Sequence, residues 1–142
     1  MKWFSAWIVM AVGLFLASGA MAEGRIQVEV MVSQISDVEG SIDARGQKLH
    51  SKLKSQFRYE SLKVIDNRRF ALAVDEVGSL RLPNGKNVRV RPLQVDPDSA
   101  LLAVEVEGAV KTDVRVRNGH LVVIGASSHG DGKLIVSLEP RW

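Results

Sequence analysis

Apolar and polar positions alternate along most of the chain. Between Arg25 and Ile35, the residues Ile26, Val28, Val30 and Val32 fall on one side, and Gln27, Glu29, Met31 and Ser33 on the other. Successive side chains of an extended strand point to opposite faces. A period of two rich in β-branched residues therefore predicts a half-buried strand. Ser36 to Gly40 reads as a loop. The period then changes once. Over Asp43–Phe57, the residues Leu49, Leu53 and Phe57 recur every four positions, on a stripe begun by Ile42 and Gly46. This predicts one amphipathic helix near the N-terminus, capped by Asp43 or Ser41, whose side-chain oxygens suit the unpaired N–H groups of a first turn. Arg45, Lys48, Lys52 and Lys54 occupy its other faces.

From Tyr59 onward the pattern predicts strands. Tyr59–Ile65 is followed by a turn at Asp66-Asn67-Arg68. Phe70, Leu72 and Val74 then alternate with Ala71, Ala73 and Asp75, and Gly78–Leu82 continues after a break. Pro83-Asn84-Gly85-Lys86 predicts a hairpin with a type I′ turn, because Asn-Gly tolerates positive φ. Val88 and Val90 lie among Arg89 and Arg91. Asp96-Pro97-Asp98-Ser99 reads as a turn. Leu102, Val104 and Val106 alternate with Ala103, Glu105 and Glu107, and Val110–Val116 alternates again. Asn118-Gly119 predicts a second hairpin, Leu121–Ile124 an apolar strand, Gly125–Lys133 a flexible loop, and Leu134–Leu138 the last strand. The fold class expected is mainly β (α+β): an antiparallel β-sandwich or partly closed barrel of about eight or nine strands with one helix.

The first 22 residues stand apart from this pattern. Lys2 precedes an almost wholly apolar run from Trp3 to Leu16, and Ala20-Met21-Ala22 fits the small-x-small site of a signal peptidase. The apolar run falls short of the roughly 20 residues of a membrane span. We therefore expect a signal peptide over residues 1–22 and a single β-rich domain over 23–142, exported to the periplasm, or alternatively beyond the cell. No cysteine follows the apolar run, so a lipid anchor on an N-terminal cysteine is excluded. Membrane contact is expected only through an N-terminal segment left uncleaved.

Charge and composition then narrow the chemistry. Lys2 is the only charged residue of the leader, so the remaining 120 residues carry 18 basic and 16 acidic side chains, a net of +2. That balance does not describe a polyanion binder, despite a sequence pI of about 9.4. The absence of cysteine excludes disulfides, thiolate nucleophiles and cysteine-held metal sites. Gly125–Asp131 contains Ser127, Ser128, His129 and Asp131. Neighbours in one loop do not converge as a triad, and no Gly-x-Ser-x-Gly elbow is present. His120, His129 and Asp131 lack metal-ligand spacing. Gly125, Gly130 and Gly132 lie between two strands and not before a helix, so no phosphate cradle is expected. No catalytic residue, cofactor or metal is expected. The candidate contacts for a partner or polymer are the alternating arginines Arg89, Arg91, Arg115 and Arg117, the helix lysines Lys48 and Lys52, and the aromatic Trp142.

One segment is familiar. Thr112-Asp-Val114-Arg-Val116-Arg-Asn118-Gly119-His-Leu121-Val122-Val123-Ile124-Gly125 resembles the strand–turn–strand motif of secretins, the outer-membrane pore proteins of secretion and pilus systems. It departs from that motif at Ala126, where a second glycine is expected, and it covers about 14 of the 142 residues. The layout as a whole resembles small exported bacterial envelope proteins of unknown function. The resemblance implies an accessory of a secretion, pilus or motility assembly and supplies no site residue. The function expected is a non-enzymatic binding or adaptor module with an envelope protein partner and no nucleic acid. A polysaccharide or anionic-polymer binding module is the alternative, and a small hydrolase the second.

Overall fold

Two four-stranded antiparallel sheets and one short helix make up the structure, a computed structural model that describes residues 24–130 and 132–142. The leader expected over residues 1–22 lies outside the described residues, as does Asp131. The strands are β1 (Arg25–Ser36), β2 (Ser61–Ala73), β3 (Gly78–Arg81), β4 (Asn87–Val95), β5 (Ser99–Val106), β6 (Val110–Arg117), β7 (Val122–His129) and β8 (Gly132–Arg141). Sheet A has the order β2-β1-β8-β7 and sheet B the order β3-β4-β5-β6. The mainly β sandwich expected from the alternation is present, with eight strands in two separate sheets. A 3₁₀ turn at Ala44–Gly46 leads into helix α1 (Gln47–Leu53).

Sheet A is covered on both faces, and that explains its sequence. On the inner face Ile26, Val28, Val30 and Val32 of β1 join Leu134, Val136 and Leu138 of β8, and pack against Leu80, Val88, Val90, Leu102, Val104 and Val116 of sheet B. On the outer face Leu49 and Leu53 of α1 pack with Ile35, Leu62, Val64 and Ile135. Leu49 is 1% exposed and Leu53 0%. Each such burial removes enough apolar surface for about 1.5–3 kcal/mol, so these two leucines dock a helix too short to be stable alone. A strand buried on both sides needs apolar residues at consecutive positions. Accordingly β8 is buried from Leu134 through Pro140.

A bulge lets β2 serve both cores. Val32 pairs with Asp66 and Ser33 with Val64, so Ile65 is an extra residue. The insertion reverses the alternation of β2. Leu62 and Val64 therefore face the helix, while Phe70 and Leu72 face sheet B.

The structure corrects several local expectations. Asp66-Asn67-Arg68 is no turn; it pairs within β2 against Val32, Met31 and Val30. The β3–β4 turn is not type I′. The Gly85 N–H donates to the Leu82 carbonyl, and only Gly85 in this turn has positive φ (83°). Pro83 fixes its own φ near −65°, which fits a type I turn followed by a left-handed glycine. Asn118-Gly119 does not close a hairpin either. β6 belongs to sheet B and β7 to sheet A, so the secretin-like segment turns a corner between sheets. Gly125–Lys133 is not a flexible loop but the greater part of the β7–β8 hairpin, turning through Gly130 at φ 55°. Finally the helix ends at Leu53, short of Phe57.

Asp43 starts the helical segment as expected. Its carboxylate accepts hydrogen bonds from the Arg45 guanidinium (2.9 Å), from the Arg45 backbone N–H (3.0 Å) and from the Val64 N–H (3.3 Å). The bonds from Arg45 above all hold its carboxyl down to about 2.

Candidate functional site

Strand register decides which charged residues share a surface. On sheet B the even positions of β4 up to Pro92, where a bulge reverses the alternation, and those of β5 are buried, and the odd ones point outward. Arg89 pairs with Glu105, which pairs with Lys111. Arg91 pairs with Ala103, which pairs with Asp113. Leu101 pairs with Arg115, and Ser99 with Arg117. The alternating arginines of β4 and β6 thus share the outer face of one sheet, as two rails either side of β5. Arg81 of β3 extends the face at its edge, where it pairs with Asn87.

This face carries six cations (Arg81, Arg89, Arg91, Lys111, Arg115, Arg117) against three carboxylates (Glu105, Asp113 and Asp96, which Arg115 reaches), a local net of +3. The chain after its leader carries only +2. The remainder is therefore net negative, and all the positive excess sits here. Arg115 reaches Asp96 at 3.2 Å and the Ser99 hydroxyl at 3.2 Å, and Arg89 lies 3.9 Å from Glu105. Arg81, Arg91, Lys111 and Arg117 make no ion pair among the described residues. A shallow groove of about 290 Å³ runs across the face between Arg89, Arg91, Ala103, Glu105, Lys111 and Asp113. Guanidinium groups present planar forks of N–H donors that match carboxylates or phosphates two bonds at a time. Such a face can hold an extended anionic surface, with side chains free to reorient.

The other predicted contacts have partners within the fold. The Lys48 ammonium donates to the Glu139 carboxylate at 2.5 Å and to the Gly119 carbonyl at 3.3 Å. The Lys52 ammonium donates to the Leu121 carbonyl at 2.7 Å. These lysines tie α1 to the β6–β7 corner and to β8. Glu139 is 8% exposed. Burial pushes its carboxyl up, but hydrogen bonds from Lys48 and Arg141 outweigh this and hold it below the usual carboxylate range. The Trp142 indole N–H donates to the Asp96 carbonyl at 3.0 Å, and Asn118 brackets the Trp142 backbone with bonds of 2.7 and 3.3 Å. Its ring packs on the inner core.

Sequence reasoning missed three members of this picture. Lys111 was legible, since Lys111, Asp113, Arg115 and Arg117 are alternate residues of one strand. Arg81 and Glu139 were not, because only the register brings them to their neighbours. A second cleft, of about 420 Å³, lies at the end of sheet A among Asp37, Phe57, Arg58, Tyr59, Ser128 and Lys133. Behind it the Tyr59 hydroxyl meets His50 Nδ1 at 2.6 Å, and burial pushes the phenol up. Ser127, Ser128 and His129 lie along β7, with Asp131 outside the described residues. Among the described residues no group of three His, Asp or Glu side chains converges to hold a metal, and no helix is long and apolar enough to cross a membrane.

No family model matches the chain, and no curated protein sequence matches it. Among solved structures, the T2SS secretin XcpQ from Pseudomonas aeruginosa, determined by cryo-EM, aligns over 82% of this chain with 11% identity and a TM-score of 0.40. The chain spans 55% of the length of that secretin chain.

Proposed function

We propose that this chain is a non-enzymatic binding module of the bacterial cell envelope, exported by its leader, which docks on an acidic protein surface through the outer face of sheet B. The observation that carries the reading is the charge partition: +3 on one exposed sheet face of a chain whose total after the leader is +2. Exposed charges are screened within about 8–10 Å at ordinary salt. A cluster is therefore needed where a single pair would contribute little. The likeness of Thr112–Gly125 to the secretin motif directs the reading toward a secretion, pilus or motility assembly.

Cross-linking in intact cells tests it. A C-terminally tagged chain should recover one defined envelope protein, identified by mass spectrometry, with cross-links mapping to β4 and β6. A variant carrying Arg89→Ala, Arg91→Ala, Arg115→Ala and Arg117→Ala should recover it at least about tenfold less, the loss expected for about 1.4 kcal/mol. Equal recovery by the two forms would reject the reading. Binding to an anionic polysaccharide, with no protein recovered, would select the polymer alternative.

A further inference from the structure

Open sheet edges present unpaired backbone N–H and C=O groups, and folded proteins blunt them with charge, proline, shortness or cover. Three of the four edges here are blunted. β3 is four residues long. β6 carries Lys111, Asp113, Arg115 and Arg117. The start of β2 is covered by Ser41–Arg45: the Asp43 N–H donates to the Leu62 carbonyl (2.9 Å), and the Leu62 N–H donates to the Ser41 carbonyl (3.2 Å). The rest of β2 bears Asp66, Arg68 and Arg69. β7 differs. Val122–His129 contains no Lys, Arg, Asp, Glu or Pro over eight residues. Among the described residues, its only hydrogen bond from outside the β7–β8 ladder is the one the His129 carbonyl accepts from the Gln34 side chain at 3.4 Å.

The surroundings of β7 say what kind of strand fits beside it. On the side facing sheet B, the inner core is left incomplete: Val110 and Val114 of β6 and Val122 and Ile124 of β7 are only partly buried. Apolar side chains arriving there would complete it. On the helix side a lysine stands at each end. Lys52 lies on the Leu121 carbonyl, and Lys133 is paired across from Ser128. From Leu121 to Ser128 an extended chain covers roughly 23 Å. At the Lys52 end, Glu139 is already neutralised by Lys48 and Arg141; at the other end the Lys133 ammonium lies over the Phe57 ring, 5.3 Å from its centre, in the cleft it shares with Asp37 and Ser128. Each side chain of an added strand points to the face opposite its neighbour. An alternating apolar and acidic segment would therefore satisfy both sides at once.

We propose that β7 is a docking edge for an extended segment of the partner protein, added as a fifth strand of sheet A. Its apolar side chains face the β6 valines and its acidic side chains face Lys52 and Lys133. This rests on the proposed function only in that the occupant is a protein; the surface is separate from the arginine face.

The test is NMR titration of the ¹⁵N-labelled processed protein with a blocked eight-residue peptide of alternating valine and glutamate. Two further peptides serve as probes of the mechanism. One has proline at a central valine, and the other has lysine for every glutamate. The expected result is amide shifts and slowed hydrogen exchange along Val122–His129, abolished by the proline peptide and weakened at least about tenfold with the lysine peptide. Ser128→Glu, at an exposed position, should weaken the glutamate peptide while leaving the spectrum away from β7 unchanged. Shifts confined to β4 and β6 would overturn the docking edge and leave the arginine-face reading standing. Shifts along β7 that persist in the fourfold arginine variant would support the edge even where that reading fails. Concentration-dependent β7 shifts without peptide would assign the edge to a second copy of the chain and overturn the proposal.

Discussion

At the scale of single residues, Gly132 is the most demanding position. A Cβ there would lie 1.9 Å from the Ile35 carbonyl oxygen, and backbone cannot swing away as a side chain can. Gly132→Ala should cost about 2–4 kcal/mol. At Gly46 the added carbon would meet Leu62 Cδ2 at 2.4 Å, the far end of a flexible side chain. Its φ of −102° is open to alanine, so Gly46→Ala should be the milder change. Urea unfolding should place Gly132→Ala below Gly46→Ala in midpoint; the reverse order would contradict the β1–β8 packing. Neither requirement was legible in the sequence, where Gly132 looked like loop and Gly46 like a helix stripe. A steric limit set by a residue far along the chain leaves no local pattern. Glu139 gives a pH prediction. Its carboxyl is lower in the folded state than in the unfolded chain, so its contribution to stability is present above the unfolded value of about 4.3 and disappears as pH falls through the lower folded value. Asp43 acts in the same direction, its contribution fading between about pH 4 and its folded value of about 2. Lys48→Met removes one of the two cations on Glu139. It should lower stability by about 1–3 kcal/mol at pH 7 and raise the midpoint of acid unfolding, as followed by circular dichroism.

Among the elements, β2 shows how much hangs on one residue. Ile65 is 37% exposed and belongs to neither core, yet its presence reverses the alternation between the two halves of the strand. Ile65→Thr should therefore change stability by less than about 1 kcal/mol. Deleting Ile65 should instead turn Leu62 and Val64 away from α1, or Phe70 and Leu72 away from sheet B, and leave no cooperative thermal transition. A deletion as stable as the substitution would refute the bulge. The same strand marks a limit of sequence reading. Asp66, Asn67 and Arg68 look like a turn because β2 is an edge there: Asn67 lies on the outer face beyond the helix, and Asp66 and Arg68, beside Val32 and Val30, lie at the open margin of the inner face, so nothing demands apolar residues. Ser127, Ser128 and His129 look like loop for the same reason, on the open edge of β7. Alternation did reveal β1, β4, β5 and β6, where alternate residues turn toward a core. It could not reveal that β6 and β7 part into different sheets, since a glycine turn suits a corner as well as a hairpin; here Gly119 has φ 79° and its N–H donates to the Pro140 carbonyl.

For the molecule as a whole, charge partition makes salt the informative variable. Association with a polyglutamate probe should weaken steadily from 50 to 300 mM salt, and the fourfold arginine variant should lose most of that dependence. A salt-independent interaction would move recognition off the arginine face. The arginines themselves were visible in the sequence; their convergence on one surface was not, because it follows from the register across β5. The pairing of β1 with β8 has a further consequence, for the timing of folding. The centre of sheet A joins Gln27 to Arg141 and Ser36 to Gly132, so the strand that fills it is the last of the eight to be synthesised. Contacts this distant in sequence close slowly, on the millisecond-to-second scale typical of sandwiches. Until β8 arrives, β1 has no second neighbour and both cores lack a wall. On the export route proposed above, a chain that must be threaded through the membrane before it folds would be held in a passable state by its own topology, with the sandwich closing only once its final strand has emerged on the far side.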